Sequence, residues 1–118
     1  MQRNECVIFI DVDDTLMRSF GSKQIPILNT IQYVRDMFRA GNLLYCWSRG
    51  GAQYSRDIAT KLGIADCFVG FLPKPDVIVD DRLEQVLDHC EFIHPSNAVA
   101  DPKATNKPMD RSGGPTAS

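Results

Sequence analysis

Cysteines at metal or redox spacing, a histidine with a ligating neighbour, a membrane-length apolar run and a surplus of one charge are all missing from this chain. Each absence removes a class of function. Cys6, Cys46, Cys67 and Cys90 are scattered with no C-x-x-C spacing, so zinc and thiol-redox chemistry find no support. Each lies in or beside an apolar run and is read as a small buried thiol. His89 and His94 fall in the last expected helix and strand without a partner at ligand spacing, which gives both a structural or surface role. A net charge of −2, with Lys and Arg mixed through the chain, leaves no electrostatic footprint for nucleic acid or an anionic membrane. No stretch approaches a membrane span, and Met1–Glu5 leads into a strand rather than a signal-peptide core. The protein is therefore expected to be soluble and cytoplasmic.

What is present starts with Cys6-Val-Ile-Phe-Ile-Asp-Val-Asp-Asp-Thr-Leu16, an apolar run that ends in three carboxylates and a hydroxyl. Val7 to Ile10 show no polar alternation, the pattern of a strand covered on both faces. Asp11 and Asp13 stand two apart, so in extended geometry both side chains leave the same face. Like charges about 4 Å apart repel by roughly 4 kcal/mol at an effective dielectric near 20. A hard cation such as Mg²⁺ relieves that repulsion, since it takes one or two carboxylates and keeps other positions for water and phosphate oxygens. The competing reading is an acidic turn after a strand, because Asp and Thr are ordinary loop residues.

The 118 residues and 43% hydrophobic content fit one domain with a single core. Residues 16–24 read as an irregular flap over the acidic edge, with a turn at Gly21 and Ser22. Pro26 suits the first position of a helix whose apolar face is Ile27, Leu28, Ile31, Val34, Met37 and Phe38, stopped by Gly41. Leu43–Trp47 then reads as a second parallel strand. Ser48-Arg49-Gly50-Gly51 follows, before a helical pattern of Tyr54, Ile58 and Leu62. This turn is either an anion site at a helix N-terminus or a capping turn with Ser48 or Gly50 as the cap. Cys67–Val69 is a short candidate strand. Val77–Val79 is a further apolar run ending in Asp80-Asp81-Arg82, with a helix at Leu83, Val86, Leu87 and Cys90 and a final edge strand at Glu91–Ile93. Residues 95–118 are polar, carry no aromatic residue and no apolar period, and read as a mobile tail. Residues 1–94 are thus taken as the folded domain.

Taken in order, Asp11-x-Asp13-x-Thr15 after a strand, Ser48 after a strand, Lys74, and Asp80-Asp81 after a strand form a specific constellation. It resembles the haloacid dehalogenase (HAD) superfamily over roughly residues 5–93. The resemblance implies an α/β fold, a Rossmann-like three-layer sandwich with a small mainly parallel sheet and its site at the strands' carboxyl ends. It also implies Asp11 as nucleophile toward phosphorus, Asp13 as general acid and base, and Mg²⁺ held by Asp11, the Asp13 carbonyl and the acidic pair, with Asp81 direct and Asp80 in support. Ser48 and Lys74 would bind the transferring phosphoryl group, Thr15 would fix the loop, and Arg49, Arg18 and Lys23 are nearby cations with either a substrate or a surface role. Asp13 distinguishes the pattern from the dehalogenases, which lack an acid there, and from the transport ATPases, which have Thr.

Residues 16–47 and 49–73 are too few to hold an inserted cap domain, so the resemblance is to a capless member. Only five residues separate Lys74 from Asp80, less than a parallel crossover usually needs. The expected function is Mg²⁺-dependent hydrolysis of a phosphate monoester through an aspartyl-phosphate. An HAD-like module retained for binding or regulation is the alternative. A receiver domain is disfavoured, because no residue between Thr15 and Ser48 offers its lone phospho-accepting Asp: Asp36 falls inside the first helix. A site without a cap should be open, suited to a bulky phosphorylated substrate or to a homo-oligomer that supplies the missing wall.

Overall fold

The continuous apolar run before Asp11 forms a strand, β1 (Val7–Asp11), in a computed structural model that describes residues 5–100. A hairpin follows, β2 (Met17–Phe20) and β3 (Lys23–Pro26), then helix α1 (Leu28–Arg39), strand β4 (Leu43–Ser48), helix α2 (Ala52–Lys61), strand β5 (Phe68–Pro73) and helix α3 (Leu83–His89). The result is a small α/β fold with a three-stranded sheet in the order β1-β4-β5, both pairs parallel. Parallel neighbours require crossovers, and α1 and α2 supply them.

The core lies on one face of this sheet. Ile10, Leu44, Cys46 and Phe68 point into it and meet Ile31, Val34 and Met37 of α1 and Ile58 and Ala59 of α2. Alternation along the strands sends Phe9, Tyr45 and Trp47 to the opposite face, where Phe9 packs on Tyr45 at 5.4 Å and edge-on to Trp47 at 4.9 Å. That face is not sealed: Phe9 is 44% and Val7 61% exposed. The expectation of a strand covered on both sides is therefore corrected, because among the described residues α1 and α2 cover only one.

Other expectations also shift. The irregular flap expected at residues 16–24 is instead largely the β2–β3 hairpin, in which Phe20 pairs with Lys23 and Gly21 takes the positive φ of +60° that a two-residue turn demands at its first position. Pro26 closes β3 instead of opening the helix, and Ile27 is the cap. Phe68–Pro73 is a full sheet strand, longer than the expected 67–69. Its register along β4 shifts between Leu44 and Tyr45 and then runs on to pair Ser48 with Pro73.

Two expected strands do not form. Val77–Val79 and Glu91–Ile93 are both without regular structure and, among the described residues, without a sheet partner, and Val79 is 96% exposed. The three residues after Pro73 leave β5 at one edge of the sheet, whereas the free edge of β1 lies on the other side of β4. The α3 helix does form where its i, i+3, i+4 pattern places it, yet Leu83, Val86 and Leu87 remain exposed.

Residues 95–100 are not peripheral. Pro95–Asn97 make a helical turn, Asn29 Nδ2 donates to the Pro95 carbonyl at 2.6 Å, and Ala98 is buried against the core. The packed region thus extends past residue 94, and the rest of the expected tail, 101–118, lies outside the described residues. A chain ending at Ala100 should melt at a higher temperature than one ending at His94; equal melting would show that this packing contributes nothing.

The thiols divide by burial. Cys46 is buried beneath the helices, and burial, reinforced by the charge of Asp11, pushes its pKa up to about 12, whereas Cys90 is exposed, contrary to the expectation of four buried thiols. Alkylation of the native protein should therefore label Cys90 first and Cys46 only on unfolding, as peptide mapping by mass spectrometry would show.

Candidate active site

Because β1, β4 and β5 run parallel, their last residues Asp11, Ser48 and Pro73 share one sheet edge, and Lys74 follows directly. The Lys74 N–H donates to the Ser48 carbonyl at 2.9 Å, which extends the ladder by one step and fixes where the lysine side chain starts. Its ammonium reaches across β4 to Asp11, with Nζ 3.0 Å from Oδ1. On the way it passes over the Trp47 ring at 5.6 Å from the centroid, a cation–π placement. Trp47 is the strand neighbour of Asp11. The aromatic surface thus acts as the floor of the ion pair.

The second oxygen of Asp11 is also held. After Ile10 the chain turns sharply: the N–H groups of Thr15 and Leu16 both donate to the Val12 carbonyl, and Asp14 takes a positive φ of 63° that Asp tolerates better than most residues. Val12 and Leu16 are fully buried and pin this turn. Thr15 Oγ1 is thereby brought to 3.1 Å from Asp11 Oδ2, to which it donates. Thr15, expected to fix the loop, thus has a specific contact with Asp11.

Asp13 is exposed at the same edge, and its carboxylate is not bare. Tyr54 Oη donates to Asp13 Oδ1 at 2.7 Å. Burial, followed by this hydrogen bond and the Asp13 charge, pushes the phenol up to about 12, so it keeps its proton as a donor at neutral pH. Sequence reading placed Tyr54 only on the inner face of a helix. The available signal was its place in the first turn of a helix that begins at the sheet's carboxyl edge, since helical side chains lean back toward the N-terminus.

Ser48 is at the expected place but serves its own turn. Its side chain is on the core side of the sheet, 1% exposed, and Oγ accepts the Gly50 N–H at 2.9 Å. Of the two caps considered from sequence, neither is used: Gly51 caps α2, with φ at +107°. Arg49 is exposed and pairs at 3.8 Å with Asp76.

Asp80 and Asp81 are not brought to this cluster. Both are exposed, and Asp80 Oδ1 accepts the N–H of Arg82, a turn contact ahead of α3. Among the described residues no three His, Cys, Asp or Glu side chains are grouped to hold a metal ion. The site as placed therefore joins Asp11, Thr15 and Lys74 by direct contacts, with Asp13 two residues on and held by Tyr54, the Ser48 side chain turned to the core side, and the acidic pair apart. Among the described residues no helix is long and apolar enough to cross a membrane.

No family model, curated protein or solved structure matches the chain.

The Asp11–Lys74 pair is about one-third exposed on each side, so solvent screens it and its net contribution to folding should be at most about 1 kcal/mol. Lys74→Met should lower the urea unfolding free energy by no more than that. A loss of several kcal/mol would mark the pair as a structural element rather than a site poised for another charge.

Proposed function

We propose that this protein is a Mg²⁺-dependent phosphatase that hydrolyses a phosphate monoester through an aspartyl-phosphate on Asp11. The observation that carries this reading is the two-point hold on Asp11, a carboxylate at a sheet edge fixed by Lys74 at 3.0 Å and Thr15 at 3.1 Å. Asp13, the second acid, sits two residues on. An oriented carboxylate beside a separate proton carrier suits nucleophilic attack on phosphorus.

In this mechanism an Asp11 oxygen attacks the phosphorus, the bond to the ester oxygen breaks, and Asp13 gives that oxygen its proton. Asp13 then takes a proton from water as the water attacks the acyl phosphate, releasing inorganic phosphate and freeing Asp11. Lys74 offsets charge on the equatorial oxygens, where a loose transition state spreads it. The resemblance assigns Ser48 and Arg49 to the phosphate as well; Ser48, 1% exposed on the core side and bonded to Gly50, would first have to leave its own turn.

The donors at this edge, carboxylate and carbonyl oxygens, have the hardness that Mg²⁺ prefers. Asp11 and the Asp13 carbonyl would hold it, joined by Asp81 and supported by Asp80. When bound, it would neutralise phosphate and carboxylate charge.

Bringing the acidic pair in requires the 77–93 segment to close. Its exposed Val77–Val79, the exposed apolar side chains of α3, and the unsealed sheet face at Val7 and Phe9 are surfaces of matching character. Closure would complete a Rossmann-like three-layer sandwich, as the HAD resemblance implies. A second reading, a catalytically degenerate HAD-like module, is favoured by the separation of Asp80 and Asp81 from Asp11.

Turnover of p-nitrophenyl phosphate in Mg²⁺ buffer should fall at least a hundredfold in Asp11→Asn and vanish in EDTA. Activity that survives EDTA or the substitution would refute the mechanism, and a folded but inactive wild type would favour the binding module.

A further inference from the structure

We infer that Tyr54 is a positioning residue for Asp13, whose O–H fixes the carboxylate so that Oδ2 is the oxygen that exchanges the proton with substrate. The inference rests on the phosphatase reading above and adds to it a residue outside the acidic motif. Tyr54 and Asp13 are 41 positions apart in the chain and meet at 2.7 Å across the end of the sheet. Asp13 is otherwise an exposed side chain on a turn, free to sample several rotamers.

The placement of the ring is built in. A Cβ on Gly50 would stand 2.8 Å from Tyr54 Cδ2 and 3.1 Å from Cγ, so the ring occupies the space that the glycine leaves. Gly50 is itself held by its N–H to Ser48 Oγ at 2.9 Å. Behind Tyr54, Ser55 is fully buried and Ile58 packs in the core, which anchors the first turns of α2. Ser48, Gly50 and Tyr54 thus form a relay that ends on the catalytic acid.

The chemistry favours a phenol here. When Asp13 is ionised, Oδ1 accepts from Tyr54. When Asp13 carries a proton on Oδ2, Oδ1 is a carbonyl oxygen and still accepts. The bond therefore persists through the proton-transfer cycle and keeps the proton on the other oxygen, the one available to the leaving group. Orientation errors of about 1 Å can cost on the order of a hundredfold in rate.

The test uses Tyr54→Phe, which keeps the ring and removes the donor. For an alkyl phosphate, whose leaving oxygen needs a proton, kcat/KM should fall about tenfold. For p-nitrophenyl phosphate, whose leaving group departs unprotonated, the fall should be under about twofold. Gly50→Ala should reproduce the same selective loss and add little to Tyr54→Phe. An equal loss on both esters, or none on either, would overturn the inference.

The contact has a readout that does not need turnover. Melting temperatures of Asp13→Ala, Tyr54→Phe and the double variant should be non-additive, the double falling no further than the worse single. Additive shifts would overturn the contact itself. A wild type without phosphatase activity but with non-additive shifts would overturn the positioning role through failure of the phosphatase reading, leaving the contact established.

Discussion

The reach of Lys74 to Asp11 is the interaction on which the rest of the site depends. It is possible only because three strands run parallel and end together, so that the residue after β5 lies two strands from the residue that ends β1 and a lysine side chain spans the gap at 3.0 Å. A one-residue slip of β1 against β4 would turn Asp11 to the helix-covered face, away from Trp47, and dismantle the arrangement. The core maintains that register. Leu44 and Cys46, both fully buried, face α1 and α2, while Tyr45 and Trp47 face the other way. Packing on one side thereby fixes which side chains meet on the other.

Electrostatics explain why the aspartates are handled separately. Asp11 and Asp13 lie on one short turn, and leaving both charges uncompensated would weaken the fold. Asp11 receives a cation and a hydroxyl, whereas Asp13 receives a neutral donor, Tyr54. Two identical side chains are thus held by different partners. On the proposed reading, the carboxylate paired with the ammonium is the nucleophile, and the one bonded to the phenol is the proton carrier, held in orientation by a neutral donor.

Much of this was legible in the sequence, and the limits have physical causes. The unbroken apolar runs at 7–10 and 43–46 marked two parallel strands, and the helical period marked α1 and α2. Asp11 and Thr15 stand out as polar residues at a strand end, and Lys74 through the ordered pattern that resembles the HAD motifs; these are the three side chains that meet. The candidate strand at Cys67–Val69 was harder to place, because the five residues between Lys74 and Asp80 leave too short a parallel crossover, yet Phe68–Pro73 pairs with β4. The same apolar pattern misled at Val77–Val79, where hydrophobicity measures suitability for burial but cannot supply a partner. The hairpin was missed because its polar strands, all exposed in β3, carry no alternating apolar signal. Tyr54 escaped because helical periodicity assigns a face to a side chain and says nothing of the atom at its tip.

The central claim is that Asp11 becomes covalently phosphorylated, and trapping tests it most directly. Acid quenching during turnover of a phosphate ester with Mg²⁺, then borohydride reduction and peptide mapping, should convert Asp11 to homoserine, since an acyl phosphate is reducible and a free carboxylate is not. Turnover with Asp11 unmodified, or with the phosphoryl group on another residue, would contradict the account.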